Sequence, residues 1–229
     1  MSTPGPFQFY TELRLVALTG ERATTLEELL ERLRQVPGSS IFYHTHHEFL
    51  AHHFERPNFK NDFALWVEEA LQEDELSEKL AAVDLLDHTS IQSLREALVQ
   101  QVQSHLERRG ARGRRCPAGD EFHFCRAKSF VAPATSCAND PAEFFRVLPG
   151  ISNNSLSFHF LEARLRLGRP SNDFSDWLEA HGETGLAESI KNLNPYETTL
   201  DELRARIVGL GQERFGPARL DNDGRKARA

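Results

Sequence analysis

The sequence predicts a mainly α-helical protein: two tandem related helical modules with short β elements, packed with approximate pseudo-twofold symmetry. Three observations predict it. The segment Asn61-Asp62-Phe63-Ala64-Leu65-Trp66-Val67 returns as Asn172-Asp173-Phe174-Ser175-Asp176-Trp177-Leu178, and the surrounding apolar pattern returns with it. Apolar residues recur at helical spacing through most of both copies. Residues able to cap helices stand at matched positions ahead of those runs.

Phe7-Gln8-Phe9 matches Phe122-His123-Phe124 at an offset of 115, and its alternation predicts a short strand with one buried face. Thr25-Leu26-Glu27-Glu28 matches Asp140-Pro141-Ala142-Glu143, an oxygen-bearing N-cap followed three residues later by Glu. A helix therefore starts at the same place in each copy. Leu26, Leu29, Leu30 and Leu33 form its stripe in one copy, and Phe144, Phe145 and Leu148 in the other. Pro37-Gly38 and Pro149-Gly150 mark the exits. Ser40 and Ser155 are placed to cap the next helix, carried by residues 41–54 and 156–167.

Beyond that helix the offset falls to 111, which places a deletion of four residues in the loop holding Arg56-Pro57-Asn58 and Arg169-Pro170-Ser171. Asn61 or Asp62 then caps a short helix with Phe63, Trp66 and Val67 on one face, answered by Phe174, Trp177 and Leu178. Leu76, Leu80 and Val83 correspond to Leu186, Ile190 and Leu193. The last helix begins near Ser90 or Thr199, with Ile91, Leu94 and Leu98 answered by Leu200, Leu203 and Ile207. Along the chain this gives a first helical module at 1–106, an Arg-rich connector at 107–120, a second helical module at 121–216 and a polar tail at 217–229.

A chain of 229 residues divided this way gives units close to the lower size limit for independent stability. The composition, 39% hydrophobic and 27% charged, is that of a soluble globular protein. No apolar run approaches the ~20 residues a membrane span needs. The N-terminus has neither a basic start nor an apolar stretch, so the expected location is cytoplasmic. Cys116, Cys125 and Cys137 form no Cys-x-x-Cys pair and read as reduced thiols.

The net charge of -7 is uneven: Lys and Arg number 8 against 17 acidic residues in 1–106, but 14 against 15 in 121–229. An acidic surface is a poor binder of phosphate backbones, which disfavours nucleic acid as a partner. The five arginines of the connector lack interleaved aromatics for base stacking and read as a solvated linker. Arg164, Arg166 and Arg169 read either as an anion-binding group or as an exposed helical face.

Ser-Ile-Phe-Tyr-His-Thr-His-His at residues 40–47, the Asn-Asp-Phe-x-x-Trp motif, and Phe-His-Phe-Leu-Glu-Ala-Arg-Leu-Arg-Leu-Gly-Arg at residues 158–169 together resemble an uncharacterised prokaryotic domain-of-unknown-function family. The resemblance covers nearly the whole chain apart from the termini and connector. It implies a reusable helical module and supplies no activity.

Chemistry is carried by a histidine cluster, His44, His46, His47, His52 and His53, with Glu48 among them. Imidazole is a common transition-metal ligand and titrates near neutral pH. His44 matches His159, but His46 and His47 match Leu161 and Glu162, which excludes twin metal sites. One composite site is open, in which His44, His47, His159 and Glu162 converge on iron, zinc or manganese. The plainer reading makes His44 and His159 buried imidazoles bonded to a backbone carbonyl or a scaffold carboxylate. Asp62 and Asp173, with the same histidines, also admit an acid-base role, although a helix cap explains their recurrence.

The sequence lacks phosphate-loop, dinucleotide-binding, His-Glu-x-x-His and Gly-x-Ser-x-Gly motifs, which disfavours the commonest enzyme classes. The expected function is therefore that of a non-catalytic accessory or interaction protein whose partner is another protein. The alternative is a metal-binding protein or metal-dependent enzyme using the composite His/Glu site.

Overall fold

The computed structural model describes residues 5–47, 61–109 and 114–216. It is mainly α-helical, with, among the described residues, one two-stranded sheet formed by β1 (Phe7–Ala23) and β2 (Phe122–Ala138). Gln8 donates to the carbonyls of Ala134 and Ser136, whereas Thr19 donates to that of Phe124, so the strands run antiparallel. No helix among the described residues is long and apolar enough to cross a membrane.

Contacts divide the chain into two compact units that do not follow sequence order. The first unit is Arg14–Ser129; the second combines Met1–Leu13 with Phe130–Ala229. Each strand is thus shared. The opening Phe7-Gln8-Phe9 belongs with the second set of helices, and Phe122-His123-Phe124 with the first. The sequence partition at 106 and 121 assigns each strand to the helices that follow it, whereas the packing exchanges them.

In the first unit, α1 (Leu26–Gln35) buries Leu26, Leu29 and Leu33. Thr25 accepts the Glu28 N–H, while the Glu28 carboxylate returns to the N–H and hydroxyl of Thr24, one residue before the cap. α2 (Gly38–Phe42) continues as a π-helical turn, Tyr43–His47. Ser40 lies inside α2 and is not its cap; its hydroxyl instead donates to the Cys125 carbonyl at 2.6 Å. Asn61 caps α3 (Asp62–Glu69) by accepting the Ala64 N–H, which frees the Asp62 side chain for another contact. α4 (Asp74–Ala81) and α5 (Ile91–Arg109) follow. Phe63, Phe124, Leu29, Leu33, Leu76, Leu80 and Leu94 are fully buried, and Phe122 packs on Phe63 and Phe124.

The described end of the connector is anchored in this unit. Arg114 donates to the Gln72 carbonyl and Arg115 to the Thr24 hydroxyl, and Cys116 is buried with its N–H on the Thr24 carbonyl.

In the second unit, α6 (Pro141–Val147) is capped by Asp140, with Glu143 returning to Asn139. α7 (Asn153–Leu156) has Ser152 as its cap rather than Ser155, and leads through a π-helical turn, Ser157–Glu162, into α8 (Ala163–Leu167). Asn172 caps α9 (Asp173–Ala180), followed by α10 (Thr184–Lys191). Thr199 and Glu202 form a reciprocal capping box on α11 (Leu200–Phe215). Phe7, Phe9, Phe144 and Phe174 cluster at the centre, with ring centroids 4.7 Å apart for Phe7–Phe9 and 5.2 Å for Phe144–Phe174.

Both strands run to 17 residues, well past the buried Phe-x-Phe ends. Alternate burial stops there, so the apolar pattern marks only the anchored ends; the remainder is held by backbone pairing. In the first unit Leu15, Val16 and Leu18 stay exposed, and in the second Leu13, Phe130 and Val131 do.

Candidate functional site

The π-helical turns bring a histidine in each unit against both an aspartate and a strand. His44 places Nδ1 2.8 Å from an Asp62 carboxylate oxygen, while its Nε2 accepts the Cys125 backbone N–H at 2.9 Å. His159 places Nδ1 2.7 Å from Asp173 and accepts the Tyr10 N–H at 2.7 Å. A backbone N–H can only donate, so Nε2 is the acceptor and the ring hydrogen sits on Nδ1, facing the carboxylate. Each imidazole is buried and spends both nitrogens on the fold.

Next to each histidine lies the tryptophan of the repeated motif. Trp66 Nε1 donates to the Asp120 carbonyl at 2.6 Å, and Trp177 Nε1 to the Gly5 carbonyl at 2.8 Å. Carbonyl, Phe-x-Phe and N–H are therefore read at the same spacing in both strands: Gly5, Phe7, Phe9 and Tyr10 in one unit, Asp120, Phe122, Phe124 and Cys125 in the other. That spacing is visible in the sequence. Which set of helices reads it is not.

Of the four residues proposed for a composite metal centre, His44 falls in the first unit and His159 in the second. A metal at either ring would have to displace the aspartate or the strand N–H. Glu162 accepts a 3.4 Å contact from Ser157. The His47 side chain, Glu48, His52 and His53 lie outside the described residues. Among the described residues no three His, Cys, Asp or Glu side chains form a group able to hold a metal ion.

His46 is a core residue, stacked on Phe42 at 5.2 Å with Nδ1 2.9 Å from the Thr45 hydroxyl. Burial, with smaller contributions from Arg14 and His88, lowers its pKa to about 3. His105 lies 3.4 Å from Glu73, both buried, where the second unit has Arg214 bound to Glu183 through two contacts of 2.8 and 3.0 Å.

In each unit carboxylate, ring and strand N–H form one hydrogen-bonded relay, and a cleft opens beside each. The second unit's cleft, of about 540 Å³, has Tyr10, Phe158 and Trp177 as aromatic walls, with Arg166, Asp173 and Asp176 among its polar groups. Burial would raise the Asp173 pKa, but hydrogen bonds from His159 and Arg166 outweigh it and hold the carboxyl below its ordinary value. The first unit's cleft, of about 490 Å³, is lined by Trp66 and Phe122 with Asp62, Glu69, Asp120 and Glu121, and among the described residues by no Lys or Arg. Both volumes fall in the range of small-ligand sites. Sequence reasoning reached His44, His159, Asp62, Asp173 and Arg166. It missed Tyr10, Phe158 and Asp176 as lining residues, because cleft walls carry no spacing of their own.

A family model described as a family of unknown function, DUF5752, matches residues 4–212. The structure of OrfY from Thermoproteus tenax is similar to this chain at 28% sequence identity and a TM-score of 0.77, covering 93% of this chain and 97% of that one. No curated protein matches.

Proposed function

The chain belongs to the DUF5752 family, and we propose that it is a non-catalytic accessory protein of the prokaryotic cytoplasm that acts by binding another protein. In this reading a duplicated helical module supplies two recognition clefts, one in each unit. The observation that carries the proposal is the pairing of a cleft with a spent imidazole. Each opening lies against an Asp–His pair that resembles acid-base machinery, yet the ring nitrogen a general base needs already accepts a strand N–H. What the clefts retain is shape, aromatic surface and charge, the means of recognition. Their charges differ, which suits two distinct segments of a partner.

Affinity capture from the native host at physiological salt tests this, using wild-type protein beside variants that block one cleft each. Glu69→Arg alters the first cleft and Val131→Arg the second, both at exposed positions. A partner retained by wild type and by an exposed control, Glu78→Arg, but lost from a cleft variant supports the reading. Identical capture by all four proteins rejects it.

A further inference from the structure

Resting on the reading of the clefts as binding sites, we propose that the second unit's cleft takes an organic anion, a carboxylate or phosphate on an apolar or aromatic body, held by Arg166. The guanidinium is already positioned. Its Nη2 lies 2.6 Å from Asp173, and its central carbon sits 4.5 Å from the Phe158 ring centroid. Nε and Nη1 make no hydrogen bond among the described residues, so a fixed planar donor faces the cleft with hydrogens to give.

The acidic residues beside it are already engaged. Asp176 accepts from Ser171 and from Arg169, each at 2.5 Å, and one Asp173 oxygen takes both His159 and Arg166. Arg166 thus keeps uncommitted donors at this cleft among the described residues. Tyr10, Phe158 and Trp177 supply ring faces for the body of the ligand.

Comparison of the copies sets these groups apart. At the offset of 115 Arg166 corresponds to Ala51, and at 111 Asp176 corresponds to Leu65. The first unit builds the same aspartate, histidine and tryptophan arrangement, and among the described residues no Lys or Arg lines its cleft.

The two tryptophans, one per cleft, give the readout. Full-length protein is titrated with N-acetylphenylalanine, its uncharged amide and phenyl phosphate while the two indole N–H resonances are followed. The anions are expected to shift the Trp177 signal saturably, in roughly the millimolar range for fragments of this size, and to leave Trp66 unmoved. The amide is expected to do neither. Arg166→Gln should weaken anion binding about tenfold or more, the loss of a charge-assisted hydrogen bond.

Equal binding of the amide, equal shifts at Trp66, or an unchanged affinity in Arg166→Gln overturns the proposal. Should that variant fold poorly, the comparison of anion with amide on wild-type protein decides. An acetylated peptide ending in the same phenylalanine separates the sources. Tighter binding than the single residue assigns the anion to a protein end, and equal binding to a free small molecule. Loss of partner capture in Val131→Arg without any anion binding overturns the ligand assignment alone and leaves the interaction reading standing.

Discussion

The backbone N–H of Tyr10 is held by the ring of His159, 149 residues further along the chain, at 2.7 Å. The bond ties the first strand to a helix whose own sequence is preceded by a different strand. Cys125 and His44 make the matching tie at 2.9 Å. In both cases the aspartate behind the ring fixes which nitrogen is the acceptor.

Asp62→Ala and Asp173→Ala each leave a buried Nδ1–H without its acceptor, at an expected cost of about 1–3 kcal/mol in urea unfolding. Amide exchange should localise the damage. Cys125 is expected to lose protection in the Asp62 variant and Tyr10 in the Asp173 variant. Loss of both amides in either variant would show that the two relays are not independent.

Acid should destabilise the protein through His46. Its folded pKa, lowered to about 3 by burial, lies below the ordinary histidine value of 6.5, so the unfolded chain binds more protons between those limits. Stability is complete above the unfolded value and falls as pH drops, with a contribution of about 1.4 kcal/mol per pH unit within the window. Asp173, also lowered, adds in the same direction: its contribution is present above the unfolded carboxylate pKa and is lost as pH falls through the folded one. Unfolding free energies measured from pH 7 to pH 4 should show the slope, and His46→Leu should flatten it above pH 5.

Two glycines of α11 should behave oppositely. A Cβ on Gly211 would stand 2.1 Å from the Phe145 ring, so Gly211→Ala is expected to cost about 1–3 kcal/mol through overpacking. Gly209 has open space around it, and Gly209→Ala should stabilise by roughly 0.5–1 kcal/mol through helix propensity alone. Thermal unfolding of the pair measures both.

Protein purified without added metal is expected to carry no stoichiometric iron, zinc or manganese, because both nitrogens of His44 and His159 are spent on protein partners. Elemental analysis checks this. A stoichiometric metal that disappears in His159→Gln would show instead that the ring leaves its strand, and would revive the composite centre.

Much of the fold is legible in the residues. Thr25, Asp140, Asn61, Asn172 and Thr199 cap the helices their sequence positions announce, because a cap is a local interaction between near neighbours. Ser40 and Ser155 mislead for the same reason: each follows a better-placed start, at Pro37 and Ser152, and is left inside the helix. The scaffold role expected for His44 and His159 holds in their burial and their carboxylate partners. The other partner is a strand N–H and not a carbonyl, a long-range choice that periodicity does not encode. Arg166 is visible as a charge in the sequence, but its position over Phe158 requires the π-helical turn and the fold around it.

Because each set of helices groups with the Phe-x-Phe end of the strand that precedes the other set, the connector is a poor place to divide the protein. A boundary at residue 113 would give one fragment carrying Phe7 and Phe9 without the ring of His159, and another carrying Phe122 and Phe124 without that of His44. Neither half would be a shorter version of the whole. Both would present an empty strand site and a loose strand of matching spacing, so co-produced halves should find each other more readily than either persists alone.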